Sequence, residues 1–153
     1  MSQNLKIMEA PYLSAGYAKG LEIRREVFVG EQAVPEQLEI DNEDSSRHFI
    51  AFHGDDAICT GRLRPLESKK LLKFERIATR AKFRGMGYAR ELMLALQSVA
   101  EREYPDWTWS MGAQLSAVAF YEKLGWVREK NKIFLDAGIE HLTLVFPHSN
   151  PRS

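Results

Sequence analysis

The chain has 153 residues, 44% of them hydrophobic, and its 21 basic and 21 acidic side chains cancel to a formal net charge of zero. That length is one domain, spanning residues 1–153, with enough apolar residues to bury a core, and the balanced charge gives no reason to expect nucleic acid or a membrane as partner. The opening MSQNLKIMEA lacks the apolar core of a signal peptide, no run reaches the roughly 18 apolar residues of a membrane helix, and Cys59 is the single cysteine, which excludes an internal disulfide and a thiolate zinc cluster; a cytoplasmic location without a metal is the expectation.

In chain order, Ile7 and Met8 open a strand. Ser14 is placed to cap a helix running through Phe28, with Ala18, Leu21, Val27 and Phe28 as its apolar stripe. Residues 31–47 are acidic and include Pro35, which reads as a loop long enough to close over a site. Residues 48–53 and 57–63 flank Gly54, Asp55 and Asp56 as a β-hairpin, with Cys59 a small buried hydrophobe in its second strand.

A strand over Leu71–Thr79 then leads through the polar connection 80–83 into a helix beginning near Gly85. Ala89, Leu92, Met93, Leu96, Val99 and Ala100 recur at the spacing of one helical face, which must pack on something flat such as a sheet. The first N–H groups of a helix have no internal partner, and glycines without Cβ atoms let a phosphate approach them, so Gly85 and Gly87 read as a phosphate cradle to which Arg84 and Arg90 add positive charge. The spacing matches neither a P-loop, which needs Gly-Lys-Ser/Thr, nor a dinucleotide fingerprint with its third glycine and later acidic residue. A strand over 107–114, a helix and turn over 115–126, and a closing strand pair, 127–136 and 140–146 turned by Ala137 and Gly138, complete an α+β (mixed α/β) pattern. The tail 147–153 is expected to fray.

The residues Arg84, Gly87 and Ala89 match [Gln/Arg]-x-x-Gly-x-[Gly/Ala], and LSAVAFYEKLGW (115–126) follows a strand at the matching distance; together they resemble the GNAT superfamily of acetyl-CoA-dependent N-acetyltransferases, with Trp126 where Phe is usual. IRREVFVGEQAVP (23–35), EIDNED (39–44) and DAGIEH (136–141) resemble its ElaA-like branch, so the resemblance covers nearly the whole chain. It implies a mixed, mostly antiparallel sheet flanked by helices, whose central parallel strands, Leu71–Thr79 and 107–111, splay into a V-shaped cofactor cleft. The implied co-substrate is acetyl-CoA. Ile77, Ala78 and Thr79 would hold its pantetheine arm, and Gly85, Met86, Gly87, Tyr88, Ala89 and Arg90 its pyrophosphate, reinforced by Arg84. Gln114, where many relatives carry Asn, and Phe120 complete the implied cofactor set.

Direct transfer of an acetyl group to a primary amine needs a neutral amine, stabilisation of an oxyanion and a proton for the thiolate. By the resemblance Tyr121 is the general acid; a phenol and a thiol, near 10 and 8.5, exchange a proton at little cost. Glu75, by strand parity with Ile77 and Thr79, is a candidate base, the alternative being a carboxylate paired with a nearby Arg or Lys; His48, His53 and His141 are further candidates. Arg24, Phe28, Glu31 and Gln32 resemble the branch's substrate side, and Glu39, Asp41 and Asp44 either attract a cationic amine or form a solvated acidic loop. The acceptor is a small-molecule or peptide amine, and relatives of this kind suggest a homodimer through the last strands. The rival readings are a non-catalytic acyl-CoA sensor and an acyltransferase related to the acyl-homoserine-lactone synthases.

Overall fold

Alternating apolar residues and left-handed turn positions build one sheet, and its topology explains where the cleft lies. The computed structural model describes residues 5–148, except for the side chains of Leu38 and Glu39. The strands are β1 (Leu5–Glu9), β2 (Arg47–His53), β3 (Asp56–Leu66), β4 (Leu71–Thr79), β5 (Thr108–Gln114), β6 (Val127–Arg128), β7 (Phe134–Asp136) and β8 (Ile139–Val145). They lie in the order β1-β2-β3-β4-β5-β8-β6, with β7 also paired to β8. Every pairing is antiparallel but one: β4 and β5 run parallel.

The two faces carry separate cores. On one, helices α3 (Tyr88–Glu103) and α4 (Val118–Glu122) cover Leu63, Phe74, Trp109, Met111 and Leu144, with Leu92, Met93 and Leu96 wholly buried beneath α3. On the other, α1 (Ala15–Arg24) packs Tyr17 and Ile23 against Ile50, Ala57 and Ala78. Ser14 caps α1, its Oγ accepting from Tyr17 N at 3.2 Å, as its sequence position leads one to expect.

Several boundaries differ from the sequence expectation. The first helix does not continue as α-helix to Phe28: after Arg24 it widens to a π-helical stretch, Arg25–Glu31, closed by Gln32 N donating to Val27 O at 3.1 Å. Pattern reading assumes 3.6 residues per turn and misses such a widening. The acidic loop contains a short helix, α2 (Glu36–Glu39), behind Pro35. The helix after the glycines starts only at Tyr88, because Gly85 and Gly87 hold left-handed φ of +77° and +85°. The segment 115–126 is a 3₁₀ turn followed by the brief α4, and 127–136 is two short strands instead of one. Of the tail, His148 sits on the body with Nε2 3.1 Å from Trp107 O; residues 149–153 lie outside the described chain.

The irregularity with most consequence is in β4. Pairing with β3 steps from Thr60↔Ala78 to Arg62↔Glu75, so β4 holds one extra residue opposite Gly61, and Arg76 takes φ +57°. Such a bulge reverses the face on which later side chains emerge. Phe74 lies on the α3 side, Glu75 on the α1 side, and Ile77 again on the α3 side, where a Cβ on Gly61 would come within 2.7 Å of its Cδ1 and 3.2 Å of Leu96 Cδ1.

Candidate active site

The parallel pair β4 and β5 is joined only over Leu71–Lys73 and Thr108–Ser110. Beyond Lys73 and Ser110 the strands part, and a cleft of about 730 Å³ opens between them. One wall is β4 from Lys73 to Thr79, and the other is β5 from Met111 to Gln114. The glycine turn stands at one end. Val27, Phe28, Gln32 and Val34 arrive from the α1 side, and Phe120 and Tyr121 from α4.

At the glycine end, Arg84, Gly85, Gly87, Tyr88, Ala89 and Arg90 line the cleft. Nothing stands within 4 Å of where a Cβ on Gly85 or Gly87 would be, so the first-turn amides of α3 are open to an approaching anion, and the helix dipole adds to the two guanidinium charges. Met86 is 55% exposed at the tip of the turn and does not line the cleft. Arg84 is already oriented: its Nε donates to Thr79 O at 2.9 Å, and its Nη2 to Glu31 Oε1 at 2.7 Å. A second link crosses the cleft where Gln114 Nε2 donates to Gln32 Oε1 at 2.8 Å. At the end of the π-helical stretch Gln32 thus meets the β5 wall, while Glu31 holds Arg84 at the glycine end without itself lining the cleft. The open amides and guanidinium groups at the glycine end suit an anion, and the cleft continues from there beside Ile77, Ala78 and Thr79.

Glu75 is placed differently from its expected parity with Ile77 and Thr79, because the bulge turns it to the α1 face. There its Oε1 accepts from Arg62 Nε at 3.1 Å and from Arg64 Nε at 3.0 Å, and its Oε2 from Arg64 Nη2 at 3.1 Å. Burial alone would raise this carboxyl, but the Arg64 hydrogen bond and the charges of Arg62, Arg64 and Arg76 outweigh it and bring it to about 2. A carboxylate held that low is a weak proton acceptor.

Arg24 does not reach the cleft. It is 2% exposed and donates from Nη1 to Glu43 Oε1 at 2.7 Å. Glu43 is the centre of a buried cluster, accepting also from Tyr17 Oη at 2.7 Å and Arg62 Nη1 at 2.5 Å. Burial pushes its carboxyl up, and the hydrogen bonds from Arg24 and Tyr17 more than reverse that. Asp41 in turn pairs with Arg62 and Arg76. Part of the acidic loop is thus an anchor for arginines under the sheet, since a buried guanidinium must be paired. Sequence inspection missed Glu43, because nothing local distinguishes it from its acidic neighbours.

Tyr121 is 8% exposed and lines the cleft. Burial pushes its phenol above the ordinary range, so it holds its proton more tightly than the free phenol whose near match to a thiol favours it as an acid. Cys59 is wholly buried and pushed up to about 12 by burial, which removes it as a nucleophile. Of the histidines, His48 donates from Nε2 to Glu43 O at 2.8 Å within the buried cluster, and His53 stands beside the Tyr88 ring on β2. His141 lines the cleft with Phe134, Asp136 and Ile139. Among the described residues no group of three or more His, Cys, Asp or Glu side chains is placed to hold a metal ion, and no helix is long and apolar enough to cross a membrane.

The parted parallel pair, the β4 bulge and the open glycine turn make up the kind of cleft that the resemblance to the acetyltransferases implies. The profile of the acetyltransferase (GNAT) domain matches residues 10–146, and the chain belongs to that family. It is 37% identical over 124 residues to the uncharacterized N-acetyltransferase YjcF of Bacillus subtilis (strain 168), covering 80% of this chain and 86% of that one. Protein ElaA of Escherichia coli (strain K12) is 26% identical over 126 residues, covering 80% and 81%. The crystal structure of E. coli ElaA superposes with a TM-score of 0.82 over 94% of this chain and 99% of that chain, at 22% identity. A Bacillus subtilis acetyltransferase in complex with CoA shares the fold at a TM-score of 0.66 and 16% identity, covering 93% and 97%. The likeness to ElaA agrees with the branch that residues 23–35 and 136–141 suggest.

Proposed function

We propose that this protein transfers an acetyl group from acetyl-CoA directly to a primary amine, of a small molecule or of a lysine or peptide N-terminus, with both substrates bound at once. The observation that carries the reading is the early end of the β4–β5 pairing at Lys73 and Ser110, beyond which the facing edges of the two strands no longer pair and line a cleft that runs from the glycine turn to Tyr121. Family membership supports the acyl transfer, and the CoA complex of the Bacillus subtilis acetyltransferase supports the ligand.

In this reading the amides of Gly85 to Arg90, with Arg84 and Arg90, bind the pyrophosphate. The exposed edge of β4 from Ile77 to Thr79 binds the pantetheine arm as an added strand, and Gln114 and Phe120 flank it. A preorganised amide near Thr79, aimed at the acyl oxygen, is worth ~3 kcal/mol in the transition state. Acetyl-CoA supplies an activated acyl carbon. The thioester sulfur leaves toward Tyr121, whose retained proton completes the thiol. Cys59, wholly buried on β3 with its thiol pushed up to about 12, is not available to form an acyl-enzyme. Phe28, Gln32 and Val34 form the acceptor side.

Calorimetric titration with acetyl-CoA tests the reading. Saturable micromolar binding, lost in Gly87→Glu through bulk and like charge, is expected. Initial rates of thiol release with varied amine and acetyl-CoA should then give intersecting lines. Absence of binding by the native protein overturns the proposal, and parallel lines overturn direct transfer.

A further inference from the structure

We propose that His141 is the general base that takes the proton from the acceptor amine, working from the face of the sheet opposite Tyr121. The inference rests on the acetyltransferase reading above and assigns a role that the reading leaves open.

His141 lies on β8 opposite Gln114 of β5. Directly paired residues emerge on the same face of a sheet, so His141 shares a face with Gln114, while Ala113 and its partner Leu142 face the other way into the α3 and α4 core. Gln114 is bonded to Gln32 from the α1 side. His141 therefore stands on the α1 face of the cleft, where Phe28, Gln32 and Val34 admit the acceptor. Tyr121 stands on the opposite face, packed with Met111 and Ala113. Direct transfer needs this division, because the amine loses its proton on the side from which it attacks and the thiolate gains one on the side to which it leaves.

The ring is also prepared for the task. Its Nδ1 lies 2.6 Å from Ile139 O. A carbonyl only accepts, so Nδ1 carries the hydrogen and, in the neutral ring, the lone pair is on Nε2. Phe134 stacks on the imidazole with centroids 5.5 Å apart and planes 27° from parallel, which fixes its orientation. The side chain is 7% exposed and opens to the cleft. The ionisable groups that share the cleft with it are Lys73, Glu75, Arg76, Tyr121 and Asp136, with Arg84, Tyr88 and Arg90 at the glycine end; Glu140, its neighbour on β8, alternates to the other face. Among them Glu75 has its oxygens committed to Arg62 and Arg64.

The step balances without further reactants. The amine nitrogen forms a bond to the acyl carbon, and its N–H proton passes to Nε2. The C–S bond breaks with its electron pair on sulfur, and the sulfur takes the phenolic proton of Tyr121. Solvent then returns the imidazolium proton to the phenolate, and both groups are reset.

The test compares native protein with His141→Gln, which keeps a polar side chain of similar reach. Probes are acetyl-CoA with lysine, tyramine, putrescine and a peptide bearing a free N-terminus, read by thiol release. Expected are an unchanged dissociation constant for acetyl-CoA by calorimetry, a kcat lower by ~10²-fold, and loss of the acidic limb from the kcat against pH profile. Independently of turnover, ¹⁵N chemical shifts of the native His141 ring should report hydrogen on Nδ1 and a bare Nε2, a requirement that can be checked even if the variant does not fold. Native kcat and pH profile in His141→Gln, or a neutral ring protonated on Nε2, overturns the base assignment alone. A native protein that binds no acetyl-CoA overturns the acetyltransferase reading with it.

Discussion

Glu31, at the end of the π-helical stretch, and Arg84, at the glycine turn, form an ion pair with Oε1 and Nη2 2.7 Å apart. In the proposed function the guanidinium that binds the pyrophosphate is therefore one that a carboxylate already holds. Glu31→Gln removes the competing charge, and acetyl-CoA should bind about threefold more tightly, a modest gain because the pair is partly exposed and screened. Arg84→Ala should weaken binding and flatten its salt dependence. Calorimetry at two salt concentrations reads both, and weaker binding by Glu31→Gln would contradict the competition.

Tyr121→Phe keeps the ring that packs beside Phe120 and removes only the hydroxyl. Turnover should fall by ~10²-fold while acetyl-CoA affinity and melting temperature stay near native values. Rate and affinity measured on one preparation separate an acid from a packing residue; full turnover would leave Tyr121 as packing alone.

Gly61 lies opposite the β4 bulge, and a Cβ there meets Ile77 Cδ1 at 2.7 Å. Gly61→Ala must push Ile77 and Leu96 aside. A destabilisation of about 1–3 kcal/mol is expected from overpacking, together with weaker acetyl-CoA binding, since Ile77 lies on the strand that lines the cleft. Denaturant unfolding and calorimetry give the two numbers; unchanged affinity would detach the bulge from ligand binding.

The Glu75 carboxyl is lowered from 4.5 to about 2. Its unfolded form takes up a proton near 4.5 while the folded form resists until near 2, so between those values the unfolded chain binds more protons and stability rises with pH. The contribution is fully present above pH 4.5, is lost as pH falls toward 2, and amounts to ~3 kcal/mol. Glu75→Gln should lose that stretch of pH dependence and be less stable at neutral pH, because Arg62 and Arg64 keep their buried charge without it. Thermal melts from pH 2 to 7 check the slope.

Elements governed by local pattern were legible in the chain: the Ser14 cap, the hairpin turned at Ala137 and Gly138, the stripe from Ala89 to Ala100, and the glycines before it. Each is decided by residues within about one turn of one another. The course of the first helix beyond Arg24 was not, because a π-helical widening leaves no mark in a 3.6-residue period. Glu75 was misplaced for a related reason. Strand parity holds only while register is regular, and one inserted residue at Arg76 and Ile77 reverses it.

By itself the order of residues determined the family and the open glycine turn before a helix, since backbone amides, glycines and a helix start are consecutive in the chain and need no distant partner. Tertiary structure decided which charged groups are free to act. Glu43, Arg24 and Arg62 are far apart in sequence and gather in one buried cluster, while His141 and Tyr121 come to opposite faces of a cleft that exists only where β4 and β5 cease to pair. Long-range pairing sets burial and electrostatic surroundings, and these determine whether a carboxylate, phenol or imidazole can carry a proton.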